Sequence, residues 1–158
     1  MTKTMDSKNS IKEHEKNLEK LGAELSIIQY NFKIKTEPSE KYWIKKIQEF
    51  QDYHKKTLEY FTQGYSLMSL IDEEQSAMFL LRTSKLKKLG AKLLEDMENV
   101  KKNPATMNIK DKQQSKWSIE QREKLIKSNN DCLNHEKRMN IFFKDFCENF
   151  LQRNQNKK

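Results

Sequence analysis

The chain has 158 residues, of which 35% are hydrophobic and 34% charged, with only three Gly and two Pro. This length suits one compact domain or two small ones, and the abundance of Lys, Glu, Leu and Gln predicts an all-α fold. The net charge of +8 favours polyanions or acidic partners. No apolar run approaches the length of a membrane span, so the sequence excludes a transmembrane helix.

The first predicted helix carries a heptad seam. Residues 1–8 are polar and are expected to be disordered, and apolar residues then recur in steps of seven, three and four. Such a seam needs a partner helix, either in this chain or in another protein. The residues predicted to bind that partner are Ile11, Leu18, Leu21, Leu25, Ile28 and Phe32.

A second amphipathic helix is predicted after the segment TEPSE at residues 36–40. Thr36 or Ser39 is a candidate N-cap for it. Its apolar stripe is formed by Trp43, Ile47, Phe50, His54, Leu58 and Phe61. His54 lies between aromatic residues, with no second ligand at helical spacing, and is therefore interpreted as a core histidine.

The third segment is the most apolar, and it extends to Pro104. Gly64 marks a helix end or a weak point, and the run DEEQS is a candidate break. The expected buried face comprises Leu67, Leu70, Ile71, Met78, Leu81, Leu86, Leu89, Leu93, Met97 and Val100. Residues 9–103 are thus predicted to form an antiparallel helical bundle, followed by a linker at 104–116 without apolar periodicity.

Three short helices are predicted for residues 117–158. Ser118 and Gln121 have the spacing of a capping box, and SNND at 128–131 is typical of a turn. A middle helix with Met139 and Phe142 would follow, and the chain would end in a basic helix. These proportions are those of a small helix-turn-helix unit.

This C-terminal block resembles a degenerate homeobox-like or Myb/SANT-like domain. KWSIEQREKLIKS is similar to the first helix of such domains, and FLQRNQNKK is similar to a homeodomain recognition helix. The order of Arg153 and Asn154 is reversed, and Phe150-Leu151 replaces the usual Trp-Phe. A homeobox-like block on a small helical chain is also similar to accessory subunits of the ciliate DNA adenine methyltransferase complex.

The resemblance implies that the last helix lies in the major groove of duplex DNA. Asn and Gln amides match the donor and acceptor of adenine, while Lys and Arg neutralise phosphates. The base-contacting candidates are Gln152, Asn154 and Gln155. The phosphate-contacting candidates are Lys116, Lys137, Arg138, Lys144, Arg153, Lys157 and Lys158.

The charge distribution agrees with a C-terminal DNA interface. Residues 110–158 hold twelve Lys or Arg against seven Asp or Glu, a net of +5. The preceding 109 residues hold nineteen against sixteen, a net of +3. A solvated helix surface would give the same pattern, and this alternative stays open.

Neither a metal site nor an enzyme is predicted. Cys132, His135 and Cys147 would need a fourth ligand from a distant segment to hold zinc. Two cysteines are too few for a disulfide framework, which favours a reduced, intracellular protein. No phosphate loop, HExxH motif or nucleophile elbow occurs, so we expect no catalysis and no cofactor.

Two functions from different classes follow. The first is a nuclear, non-catalytic accessory subunit that docks on a larger protein, such as a DNA adenine methyltransferase, and helps it hold duplex DNA. The second is a helical coiled-coil adaptor or scaffold without nucleic-acid binding. They are separated by whether residues 116–158 fold independently or pack as a fourth bundle helix. Binding to a membrane surface is disfavoured, because no helix pairs a strongly basic face with an exposed bulky apolar one.

Overall fold

The computed structural model describes residues 2–31, 34–108 and 115–151, with side chains for residues 11–28, 34–108 and 115–149. These ranges hold four long helices and no strand, so the all-α prediction is confirmed. The helices are α1 (Thr2–Asn31), α2 (Glu40–Ser69), α3 (Glu73–Lys102) and α4 (Lys116–Phe146). A 3-10 turn at Pro104–Met107 follows α3, and a π-helical segment at Cys147–Leu151 continues α4.

Three of the helices begin at a side chain that accepts a hydrogen bond from an otherwise unpaired backbone N–H. Ser39 accepts from the Tyr42 amide at the start of α2, as predicted. Asp72 does so for α3 and Ser115 for α4, in both cases at 3.1 Å. Ser115 therefore replaces the predicted cap at Ser118.

Consecutive helices run antiparallel. Lys56 of α2 pairs with Glu24 of α1 at 2.7 Å, while Gln63 of α2 meets His14 at 2.8 Å. The Phe61 and Phe79 rings meet edge to face across α2 and α3. Contacts between α3 and α4 link Asp96 with Ser128 and Arg82 with His135. The result is an up-down-up-down bundle in which α4 runs parallel to α2.

The core is built mainly from α2, α3 and α4. Its fully buried side chains include Trp43, Phe50, Phe61, Phe79 and Leu93, none more than 1% exposed. The α1 helix contributes Leu18 and Leu25, each 7% exposed, and these two pack with α2 at one side of the bundle. The heptad seam thus has its partner helix within this chain.

Two helix boundaries differ from the sequence expectations. Gly64 lies inside α2, where a Cβ would stand 3.0 Å from the Phe143 ring, so close packing rather than a turn accounts for it. The chain instead reverses at Leu70–Asp72. Residues 2–8, expected to be disordered, are helical as part of α1.

The largest correction concerns the C-terminal block. Residues 116–146 form one helix of 31 residues where the sequence predicted two short ones, so the predicted turn at 128–131 is wrong. The third predicted helix, at 146–158, lies mostly outside the described residues. Ser128 is buried and donates a hydrogen bond to the Asp96 carboxylate of α3. A polar side chain with such a tertiary partner no longer competes for its own backbone, and the helix continues through it.

The predicted linker is partly packed against the bundle. Thr106 and Met107 of the 3-10 turn are buried, and the Thr106 carbonyl accepts from the Arg122 guanidinium of α4 at 3.4 Å. Residues 109–114 lie outside the described ranges.

Candidate functional site

The predicted DNA-binding residues fall into two groups. Lys116, Lys137, Arg138 and Lys144 are exposed on α4. Exposed carboxylates on the same helix alternate with them; these are Glu120, Glu123, Asp131 and Asp145. Mixed signs of this kind are typical of a solvated helix surface. The remaining candidates, Gln152, Arg153, Asn154, Gln155, Lys157 and Lys158, lie outside the described residues.

A more uniform basic surface lies on α3, where the sequence analysis did not place one. Residues 75–94 contain five cations and no Asp or Glu. Four of the cations are exposed, namely Lys85, Lys87, Lys88 and Lys92. Arg82 instead stacks on the Phe142 ring at 4.6 Å, and Lys92 pairs with Asp96 at 3.2 Å. A charge count over a short window would have revealed this segment, whereas the count over 109 residues averaged it away.

The residues predicted to bind a partner lie along α1. Leu18 and Leu25 are buried, and Ile11 and Ile28 are partly buried against the same core. Leu21 is half-buried, and the side chain of Phe32 lies outside the described residues. Binding of this seam to another protein stays a prediction, and it would require α1 to leave α2.

An open cleft lies between α1 and α4, with α2 as its floor. Its volume is about 520 Å³, and its apolar walls include Leu18, Leu25, Phe61, Phe143 and Cys147. Gly22 of α1 widens it, since the nearest atom to a Cβ there would be a Tyr60 ring carbon at 3.5 Å. The cleft exists because α1 packs on α2, whereas α4 packs mainly on α3 and reaches α2 only through side chains such as Glu136 and Phe143.

The cleft is acidic in an otherwise basic protein. The carboxylates of Glu15, Glu19 and Glu136 line it, and no Lys or Arg does so among the residues whose side chains are described. Glu136 is buried and accepts a hydrogen bond from the Tyr53 hydroxyl, which fixes it between α2 and α4. A second recess of about 440 Å³, lined by Leu133 and Lys137, shares Glu136 and Asn140 with the first. The two recesses therefore form one continuous surface along α4.

This surface borders an apolar stripe that is exposed. Ile119, Ile126 and Leu133 are 37%, 49% and 38% exposed, and they recur every seven residues along α4. Asn140 and Cys147 continue the same spacing into the cleft. We call Ile119, Ile126 and Leu133 the α4 stripe. Heptad spacing is what a second helix requires in order to pack along the first.

An unsatisfied polar group lies near the α4 stripe. The Oδ1 atom of Asn129, three residues after Ile126, is buried without a hydrogen-bond partner in the described structure. Buried acceptors of this kind are uncommon, because an unmade hydrogen bond has a free-energy cost.

The cysteines and histidines do not form a metal site within the described residues, which contain no group of three or more potential ligands. His135 bonds through Nε2 to the Arg82 carbonyl at 2.8 Å. Burial raises the pKa of Cys132 to about 12 and that of Cys147 to about 11. Such thiols are poor nucleophiles and poor metal ligands at neutral pH, because the thiolate is the reactive form.

None of the described helices is long and apolar enough to cross a membrane. Comparison of the chain with protein families, with curated proteins and with solved structures finds no match.

Proposed function

We propose that this chain is a non-catalytic helical subunit that acts through protein–protein contacts in a larger assembly. The observation that carries the proposal is the packing of residues 116–146 as a fourth bundle helix with an exposed heptad stripe. A helix whose only role was to complete this bundle would need one apolar stripe, the buried one. The second stripe, beside an open cleft, supports a role in binding another helix.

The proposal is tested by recovering the tagged full chain from its own cells under native conditions. We expect one or more proteins to accompany it at a fixed ratio through size-exclusion chromatography. Leu133→Glu should reduce that ratio, whereas Leu81→Glu, at a 73% exposed site on α3, should not. Elution of the chain alone at the size of a monomer would refute the proposal.

A second candidate is the DNA-binding accessory subunit. The basic stretch of α3 favours it, since clustered exposed Lys residues attract phosphates. The homeobox resemblance supports it less, because the first two of the three short helices on which it relied are one continuous helix of the bundle. A nuclear location and an association with a DNA adenine methyltransferase belong to this candidate.

Anisotropy of a labelled DNA duplex separates the two candidates. The full chain is titrated at about 50 and 150 mM salt, a range over which phosphate-mediated binding weakens steeply. If the chain is an adaptor, no binding persists at the higher salt. If it is a DNA-binding subunit, binding persists, and charge reversal at Lys85, Lys87 and Lys88 abolishes it. The matched control reverses Lys41, Lys45 and Lys55, which are exposed on α2.

A further inference from the structure

The edge of the bundle between α1 and α4 is incompletely packed. The α1 helix lies on α2 and α4 lies on α3, and about 520 Å³ between α1 and α4 is unfilled by any described side chain. The cleft is lined by residues from α1, α2 and α4, so its shape depends on the folded bundle. A docked element would reach Leu18, Phe61 and Phe143 through this opening.

The α4 stripe gives the direction and length of this surface. From Ile119 to Leu133 the helix rises about 21 Å, at 1.5 Å per residue. Asn140 then extends the same line into the cleft. A straight surface of this length, with one contact every seven residues, matches a helix of about three to four heptads laid along α4.

The charges indicate the chemistry of that helix. Glu15 and Glu19 of α1 face the cleft, and the buried Glu136 beneath them is held by the Tyr53 hydroxyl, whereas the chain as a whole carries +8. Carboxylates flanking an apolar floor favour a partner with Lys or Arg beside its apolar face. A second copy of this chain is disfavoured, because two molecules of charge +8 repel each other.

We propose that the cleft and the α4 stripe together bind an amphipathic helix of another protein, one that carries Lys or Arg beside its apolar stripe. This inference rests on the proposed function and specifies the partner. Leu133 and Ile126 form the apolar contact, and the helix enters the cleft beyond them. Glu19 at the rim and Glu15 further inside pair with its cations.

The test uses two synthetic peptides of about four heptads. Both carry Leu and Ile at the core positions; one has Lys and Arg at the flanking positions, and the other has Glu. Each labelled peptide is titrated with the folded full chain, and binding is followed by fluorescence anisotropy. We expect the basic peptide to bind and the acidic peptide to bind at least about tenfold more weakly, because like charges oppose docking.

Substitutions at exposed positions locate the binding surface without disturbing the core. Leu133→Glu should weaken binding about tenfold, and Glu19→Lys about threefold, as for a rim charge. Leu81→Glu and Glu95→Lys are the matched controls on α3 and should leave the affinity unchanged. Circular dichroism confirms that each variant is folded.

Several outcomes would overturn the inference. Equal binding of both peptides, or no binding of the basic peptide, would exclude the charge argument. Equal weakening by Leu133→Glu and Leu81→Glu would exclude the surface. Self-association that Leu133→Glu abolishes would make a second copy the occupant. If the inference fails while the native chain still holds a partner at fixed ratio, the proposed function stands without this cleft.

Discussion

The His54 ring of α2 packs directly against Gly90 of α3. A Cβ on Gly90 would lie 2.1 Å from the His54 Nε2 atom, and the His54 ring is itself stacked on Phe50 at 5.3 Å. The His54 ring therefore occupies the space beside Gly90 that a side chain at this position would fill. A Cβ on Gly22, in contrast, would make an ordinary van der Waals contact with the Tyr60 ring at 3.5 Å, so a small side chain fits at this position of α1.

Alanine substitutions at Gly90 and Gly22 should consequently change the free energy of unfolding in opposite directions. Gly90→Ala should lower the free energy of unfolding by about 2 kcal/mol, because overpacking a buried site outweighs the gain in helix propensity. Gly22→Ala should raise it by about 0.5 to 1 kcal/mol, because only propensity changes. Urea titrations of the two variants against the parent chain measure both. A stabilised Gly90→Ala variant would show that the His54 ring moves aside freely.

The burial of His54 also makes stability depend on pH. Desolvation lowers the pKa of its imidazole in the folded state, so the unfolded chain takes up the proton first. The contribution of a neutral His54 is fully present above the unfolded pKa of about 6.5 and is lost as the pH falls toward the folded pKa. We expect the free energy of unfolding to decrease between pH 7.5 and 5.

His54→Gln provides the control for this dependence. It replaces the imidazole by a polar group that does not titrate, so its stability should change less over the same interval. Urea titrations at each pH give the comparison. Parallel curves for the variant and the parent would assign the decrease to other groups.

At the scale of elements, α4 is held by polar contacts near its middle and by aromatic contacts near its C-terminal end. Ser128 bonds to Asp96, which is 1% exposed, and Glu136 bonds to Tyr53. Phe143 then meets Tyr60 and Phe79 edge to face or tilted, at 5.9 and 5.8 Å. The contacts to α2 and α3 fix both the register and the rotation of α4.

Ser128→Ala should destabilise the fold by about 1 to 3 kcal/mol, because it removes a hydrogen bond from a buried carboxylate. Ser84→Ala, at an exposed position on α3, is the matched control and should be almost neutral. Thermal unfolding of both variants measures the difference. Equal midpoints would mean that water replaces the serine hydroxyl at Asp96.

These contacts also explain which elements could be predicted from the sequence. The stripe of α2 was identifiable because Trp43, Ile47, Phe50 and Phe61 are all buried at helical spacing. The course of α4 was not, because the partner of Ser128 lies 32 residues away in the chain. Local composition favoured a turn, and a tertiary hydrogen bond overrode it.

The buried face of α3 could not be predicted from the apolar periodicity of the sequence either. Leu70, Met78 and Leu81 were expected to be buried but are 44%, 47% and 73% exposed, while Phe79 is fully buried. An apolar run without polar interruption fits several helical rotations, and packing against Phe61 and Phe143 decides among them. The cleft could not be predicted either, since it depends on the separation of α1 and α4.

At the scale of the whole molecule, stability is expected to be uneven. Buried apolar residues on α1, within its described side chains, are Leu18 and Leu25, whereas α2 to α4 share the large aromatic core. An element with few buried contacts opens at a lower free energy than the rest of the fold. The cleft beside α1 leaves one of its sides without support.

Hydrogen exchange should show that α1 opens more readily than the other helices. We expect the backbone amides of residues 11–28 to exchange faster than those of residues 43–68, with α2 serving as the internal reference. Mass spectrometry of proteolytic fragments after timed labelling gives both rates in one sample. Equal protection of the two segments would show that α1 opens only when the whole bundle unfolds.

The two cysteines allow the opening of α1 and the opening of α4 to be measured separately. Cys132 is enclosed by the core, and Cys147 borders the cleft near Glu15 of α1. Burial raises the pKa of both thiols, so a thiol-reactive dye should react very slowly with the native molecule at neutral pH. Each sulfur should be modified mainly when the helix that covers it separates from the bundle. The modification rate of Cys147 would then report how often α1 separates from the bundle. The modification rate of Cys132 would report how often α4 separates from it. The chain needs no engineered label for either measurement.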